Sequence, residues 1–257
     1  MPLKDKRILE TYFKEELIFQ GGLYTLFKAK PMSLLSYQKP FDFSSWRDFM
    51  TSLLPWNIVK YRGWKTLQKY QHLINREFIL WEELNPFFTS SSRFFVIVVH
   101  QPSFEEIVNI HLEDFKNVNV SRDLLLQPHQ NKNFLKEVLK QHDGLMGTLL
   151  GYGRNNAWDF EARTRGASTP LASFWEAEID NFMENRYTFS ATWLCQFPDD
   201  IATYLAYPYF LANPHSLETL DLKTKILLTR EKIIQYYKGK DIFEATFELL
   251  INGSRRD

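Results

Sequence analysis

A chain of 257 residues that is 44% hydrophobic and 24% charged has the composition of an ordinary folded protein and the length to bury a large core, in one big domain or two small ones. Its 31 lysines and arginines are matched by 31 aspartates and glutamates, so no net field draws in nucleic acid or an anionic membrane, and no nucleic-acid partner is expected. Cys195 is the single cysteine, which rules out an intrachain disulfide, and no run approaches the ~20 apolar residues of a transmembrane span.

The first residues, MPLKDKRILETYFKEELIF, scatter charges through their apolar positions where a signal peptide has an unbroken apolar stretch, so a cytoplasmic protein is expected unless a leader preceded Met1. Residues 3–19 set Ile8, Leu9, Tyr12, Phe13, Leu17 and Ile18 on one helix face, and Gly21 with Gly22 stops that helix. Residues 23–27 and 32–37 are β-prone and flank KAKP, where Pro31 helps to set a turn, so a hairpin is expected. Residues 40–54 read as irregular to helical, with Ser44 or Ser45 capping a short helix that carries Trp46, Phe49 and Met50 and that Pro55 ends. A short helix over 63–73 follows, then a strand over 77–83 in which Phe78, Leu80 and Glu82 alternate with Ile79, Trp81 and Glu83. RFFVIVVH, residues 93–100, carries six apolar residues without a break and must be a central strand covered on both faces. With the hairpin these strands make an antiparallel meander of about four, because the connections are short.

A helix over 103–115, opened by the capping box Ser103-x-x-Glu106 and presenting Phe104, Ile107, His111 and Phe115, supplies a cover for the sheet. Shorter helical pieces are expected at 121–126 and 131–140. GASTP at 166–170 is the best place for a linker. Beyond it, residues 171–183 can be helical, 187–197 are β-prone, and Ser216 caps a long helix that runs to Gly239 before a last helix over 241–251. The fold class expected is therefore α+β, a small and mainly antiparallel sheet covered by helices, with a helix-rich C-terminal half. One globular domain over residues 1–252 is expected, with at most a weak subdivision near 166–170 and a disordered tail at 253–257.

The distinctive stretch is HDGLMGTLLGYGRNNAWDFEARTR, residues 142–165, which holds four of the ten glycines among residues that favour a helix. At roughly 100° per residue, Gly144, Gly147 and Gly151 fall within about a 60° arc that Asn155, Trp158 and Ala162 continue, with Leu145, Met146, Leu149, Leu150, Ala157 and Phe160 opposite. Each interior glycine costs roughly 0.8–1 kcal/mol relative to alanine, so something must approach this glycine-rich helix closely, either a neighbouring helix or a ligand.

YTLFKAKPMS at 24–33, GWK at 63–65, LLGYGRNNAWDF at 149–160 and PYFLANPHSLET at 208–219 together resemble an uncharacterised family of conserved bacterial proteins, of the kind common in chlamydiae and their relatives. The resemblance spans most of the chain, and LGYGRNNA is its most specific part. It implies a bacterial origin and one compact domain, hints at secreted or lipid-anchored relatives, and brings no activity with it.

Read as a site, the LGYGRNNA box offers bare backbone at Gly151 and Gly153, with Arg154, Asn155 and Asn156 as polar contacts; the planar fork of the arginine suits a carboxylate or phosphate. Read as packing, the glycines admit a helix or an aromatic side chain, and the asparagines cap or cross-bond loops. GYGRNN lacks the glycine spacing and the Lys-Ser/Thr ending of a phosphate loop. Acid–base candidates are His100 at the end of the central strand, His111 on the next helix, and His142 with Asp143 at the head of the glycine stretch, with Glu105 and Glu106 between them. No HxxxH, HExxH or CxxC spacing occurs, so neither a metal nor a cofactor is expected. His111 reads as a core imidazole, Asp143 as a helix N-cap, and Cys195 in ATWLCQF as a buried thiol. No GxSxG marks a nucleophilic serine, and Ser90 to Ser92 read as a turn. The 22 phenylalanines and 12 tyrosines suit core packing, leaving Tyr204, Tyr207 and Tyr209 as a candidate partner-binding patch.

These residues favour a non-enzymatic binding or interaction protein, its partner a small molecule or a protein, with residues 151–156 in its core or cleft. The alternative is a hydrolase-type enzyme acting on an anionic small molecule beside that box, with Arg154 as anion clamp and His142 or His100 as acid–base. In the packing reading Arg154 is paired and partly withdrawn from water, with Asp180, Glu178 or Glu218 as its partner.

Overall fold

In the computed structural model the chain is described over residues 1–40, 50, 54–86, 93–130, 134–139, 142–173, 201–203, 205–208 and 210–253. The expectations placed on Ser44, Ser45, Trp46 and Phe49, on Ser90 to Ser92, on Cys195 and the strand over 187–197, on most of the helix over 171–183 including Glu178 and Asp180, on Tyr204 and Tyr209, and on the tail beyond Gly253 lie outside the described residues.

The fold is α+β. Three strands, β1 (Met32–Gln38), β2 (Phe78–Leu84) and β3 (Arg93–His100), form an antiparallel sheet in the order β1-β3-β2. Its middle strand is the one with apolar residues on both faces. Val96 and Val98, paired with Leu35 and Leu80, point into one core, while Ile97 and Val99, the latter paired with Met32, point into the other. Alternation along an extended chain sends neighbours to opposite faces, so an unbroken run of valine, isoleucine and phenylalanine is stable only when both are covered.

The cover comes from helices before, between and after the strands. The N-terminal ones are α1 (Leu3–Tyr12), which runs on through a π-helical turn at Phe13–Ile18, α2 (Leu23–Leu26) and α3 (Pro55–Lys69). After β3 come α4 (Gln101–Ile110), α5 (Leu112–Asn117), α6 (Arg122–Leu126), α7 (Phe134–Leu139), α8 (Asp143–Leu149) and α9 (Arg154–Thr164). The last are α10 (Leu217–Tyr237) and α11 (Ile242–Asn252), preceded by a short antiparallel pair, β4 (Ala172–Ser173) and β5 (Leu211–Ala212). One core gathers α1 to α3 with α10 and α11, through Leu9, Phe13, Trp64, Ile233 and Phe243; the other gathers α4 to α8, through Phe104, Val108, Phe115, Leu145 and Leu149. Among the described residues no helix is long and apolar enough to cross a membrane.

Four expectations change. The hairpin is absent: residues 23–26 are a buried helical turn, closed by Lys28 in the left-handed region (φ 65°) with the amides of Ala29 and Lys30 donating to the Tyr24 carbonyl. β1 pairs instead with β3, giving three strands rather than four. Short apolar runs do not separate strand from buried helix by periodicity. The helix expected over 63–73 begins earlier, at Pro55, which takes the first-turn position where its missing N–H costs nothing, and ends at Lys69. Ser103 is not the cap of α4; His100 is, and its Nδ1 accepts the Ser103 amide at 3.4 Å. The single glycine-rich helix is two, broken where Gly151 (φ 74°) and Gly153 (φ 87°) adopt a backbone that side chains disfavour.

Candidate functional site

The break at residues 150–153 resets the helical phase, so that α9 folds onto the bare face of α8. A Cβ at Gly147 would stand 2.7 Å from the Ala157 methyl, and one at Gly144 would stand 2.8 Å from the Trp158 ring. What approaches the glycines is the chain's own next helix. Ala157, expected on the far side, is buried in this contact because the phase has changed.

At the turn itself each polar group finds a partner. Gly153 lies against Glu218 of α10, whose carboxylate accepts the amides of Asn155 at 3.3 Å and Asn156 at 3.2 Å. A helix N-terminus presents its unpaired amides where a bound anion would sit; here an internal carboxylate takes that place. Asn156, 1% exposed, donates through Nδ2 to the Tyr152 carbonyl at 3.1 Å, and its Oδ1 accepts the Asn213 amide and the Thr219 hydroxyl. Gly151 packs against Pro31, bringing the KAKP connection and the box together. Arg154 makes a two-pronged bond to Asp114 of α5, at 2.6 and 2.8 Å, and this bond holds the aspartate below its usual pKa. The partner is thus neither Glu218 nor the other acids expected. The arginine side chain, 44% exposed, stands in water because it leads the first turn of α9 outward.

Glu161 repeats the device one helix earlier. It is buried, accepts the Gly144 amide at 2.8 Å, and lies 3.3 Å from His142 Nδ1. Asp143 is therefore not the N-cap of α8; His142 occupies that position without a side-chain cap, and Glu161 does the capping across the helix pair. His100 is 3% exposed, with Nδ1 2.8 Å from Ser103 Oγ and Nε2 3.9 Å from Glu77. Burial, helped by Lys28, depresses its pKa to about 4, so it is neutral at neutral pH. His111 is also depressed, mainly by burial, and lies 3.9 Å from Asp114. None of these contacts joins His100 to His142 or Asp143. Among the described residues no group of three or more His, Cys, Asp or Glu side chains is placed to hold a metal ion. Tyr207 is half-buried beneath the Arg230 guanidinium, 5.0 Å from its ring centroid.

An open cleft lies at the other end of the sheet. In the β1–β3 register Tyr37 faces Phe94 and Gln38 faces Arg93, and the first turns of α3 bring Trp56, Asn57 and Lys60 over them. With Ser36, Leu54 and Asn85 these residues line a cleft of about 360 Å³. Its cations are Lys60 and Arg93, its amides Gln38, Asn57 and Asn85, and its flat walls Trp56 and the stacked pair Tyr37–Phe94, with ring centroids 5.7 Å apart. No carboxylate is among the described lining residues. Lys60 is anchored from behind by Glu16 at 2.6 Å and by the Ser36 carbonyl at 3.4 Å. Burial pushes the Glu16 pKa up while Lys60 pulls it back. Glu16 reaches Lys60 from the π-helical turn, a local underwinding that recurs at functional sites. The Tyr37 ring is fixed by its hydroxyl, which donates to Glu82, and Glu82 also accepts Trp64 Nε1–H at 2.7 Å and pairs with Lys65. Burial alone would raise the Glu82 pKa, but these donors and the lysine outweigh it and the net shift is downward.

Sequence reasoning missed this cleft. The signals it left are an acidic pair, Glu15 and Glu16, inside the apolar stripe of the first helix, and an arginine heading the most apolar strand. No family model, no curated protein and no solved structure matches this chain, so the resemblance carried by YTLFKAKPMS and LLGYGRNNAWDF rests on those residues alone.

Proposed function

We propose that the protein binds a small anionic molecule with a flat body, and that the cleft between β1, β3 and α3 is its site. The observation that carries this reading is the lining: two cations, one of them backed by Glu16, and three amides beside aromatic walls, with no carboxylate among the described lining residues. The volume, about 360 Å³, lies at the small end of the range of ligand sites, and a few polar groups set among apolar walls are the usual makeup of one. Residues 151–156, the first candidate from sequence, serve in this reading as a joint that holds α8, α9 and α10 together. Two cores that share one sheet support a single domain. The hydrolase alternative is less favoured because its anion clamp, Arg154, is already held by Asp114, and His100 and His142 have their Nδ1 atoms beside Ser103 and Glu161.

Saturation-transfer NMR with benzoate and its neutral analogue benzamide tests the proposal. Benzoate is expected to take up saturation from the protein and benzamide much less. Arg93→Met, which removes one of the two lining cations, is expected to abolish the signal. Benzoate binding that survives this change, or no preference for the anion, would refute the proposal.

A further inference from the structure

Lys30 sits in the connection between α2 and β1, at the end of the strand away from the cleft, and is 7% exposed. Its backbone is held on both sides: its amide donates to the Tyr24 carbonyl at 3.1 Å, and Pro31 packs against Gly151. Its Nζ lies 5.0 Å from the centroid of the Tyr152 ring, which is stacked on Phe210 with centroids 4.3 Å apart and planes 11° from parallel. Among the described residues this nitrogen meets no carboxylate and no hydrogen-bond acceptor. Glu218, the acid at the same turn, is spent on the amides of α9. An ammonium so placed has an aromatic face and only a narrow contact with water, and a largely buried cation without a counter-ion is costly.

We propose that Lys30 is a covalent capture site for small, uncharged, planar aldehydes, which its amine converts to an imine over the Tyr152 ring. The nitrogen lone pair attacks the carbonyl carbon and the C–N bond forms as the carbonyl π-electrons pass to oxygen. A proton then moves from nitrogen to oxygen to give the carbinolamine, and its hydroxyl takes up the second amine proton and leaves as water as the C=N bond closes. Amine and aldehyde give imine and water, with no redox change. The imine carries no charge, so capture relieves the burial of the ammonium. An aldehyde bearing a carboxylate would instead bring an unpaired anion to a turn that already holds Glu218. Burial lowers the lysine pKa to about 8, which leaves roughly a tenth of it as free amine at neutral pH, against well under a hundredth for an exposed lysine. Desolvated lysines acquire carbonyl chemistry in this way.

The test is reductive labelling of the whole protein at pH 7 with benzaldehyde and cyanoborohydride, read by peptide mapping in a mass spectrometer. Setting aside the N-terminal amine, which reacts at this pH in any chain, Lys30 is expected to take up the benzyl group severalfold faster than any other lysine. Its rate is expected to level off above pH 8 while the others keep rising. The preference is expected to vanish in urea, and glyoxylate, the anionic counterpart, is expected to label Lys30 more slowly than benzaldehyde does. Lys30 reacting no faster than the exposed lysines, a preference that persists in urea, or a preference for glyoxylate would each overturn the proposal.

Discussion

Exchanging a single methyl group across the α8–α9 contact tests the packing joint. A methyl on Gly147 would stand 2.7 Å from the Ala157 methyl and 3.3 Å from its Cα, whereas carbon atoms rest at about 3.5–4.0 Å. The helices must part by roughly 1 Å or strain, an overpacking cost of about 1–3 kcal/mol. Against this, replacing a helical glycine by alanine returns about 1 kcal/mol of propensity, so Gly147→Ala alone is expected to cost about 0–2 kcal/mol. Ala157→Gly gives up that same propensity and a buried methyl worth about 0.8 kcal/mol, a loss of about 2 kcal/mol. In the double variant the methyl has only changed sides: the propensity terms cancel, the overlap is gone, and stability should return to near that of the parent. The expected coupling, the stability of the double variant beyond the sum of the singles, is therefore on the order of 2–4 kcal/mol. Urea denaturation of the four proteins at 25 °C, with equal slopes, measures it. Additivity to within about 0.5 kcal/mol would mean that Gly147 and Ala157 do not touch.

Arg154→Ala is expected to cost no more than about 1 kcal/mol, because the arginine side of its ion pair with Asp114 is 44% exposed, and to leave α9 capped; a loss above 3 kcal/mol in a urea melt would contradict that exposure. The depressed Asp114 pKa means that the pair's contribution is complete above the ordinary aspartate range and fades as pH falls through it. Two buried groups give opposite slopes between about pH 4 and 7. Glu83, whose carboxylate accepts the Leu135 amide, is raised to about 7 by burial, so its folded form holds a proton that the unfolded chain releases, and stability falls as pH rises from about 4.5 to 7. His100, depressed to about 4, does the reverse: stability falls as pH drops from about 6.5 to 4. Glu83→Gln should therefore steepen the loss of melting temperature toward acid, and His100→Gln should steepen the loss toward neutrality, each by on the order of 2–3 kcal/mol across the window; slopes of the same sign in both variants would contradict these assignments.

The parts of the fold legible in the sequence are those where one element's own residues decide the outcome. RFFVIVVH had to be central because neither of its faces can meet water, and Ser216 announced α10 by capping it, accepting the amide three residues on. Elements decided by distant partners were not legible. The turn at 23–26 is helical because all four of its residues are buried, which a five-residue apolar run does not reveal. The glycine stripe announced a close approach but not its origin, since a break at Gly151 and Gly153 turned one helix into two that pack on each other. Asp114, 40 residues before Arg154, carries no sign of their pairing. The cleft was hidden most completely: its described lining comes from residues 36–38, Leu54, Trp56, Asn57, Lys60, Asn85, Arg93 and Phe94, none of which belongs to a motif. The acid that anchors its lysine arrives from a π-helical turn that a 3.6-residue period does not describe.

The choice between the cleft and the LGYGRNNA box as the place where an anion binds comes down to two arginines. Thermal melts of the parent, Arg93→Met and Arg154→Ala, each with and without saturating benzoate, measure it directly, because a ligand that binds only the folded chain must raise its melting temperature. The expected result is that benzoate raises the melting temperature of the parent and of Arg154→Ala alike and leaves Arg93→Met unmoved. Loss of the shift in Arg154→Ala with its retention in Arg93→Met would contradict the account and return the site to the glycine turn.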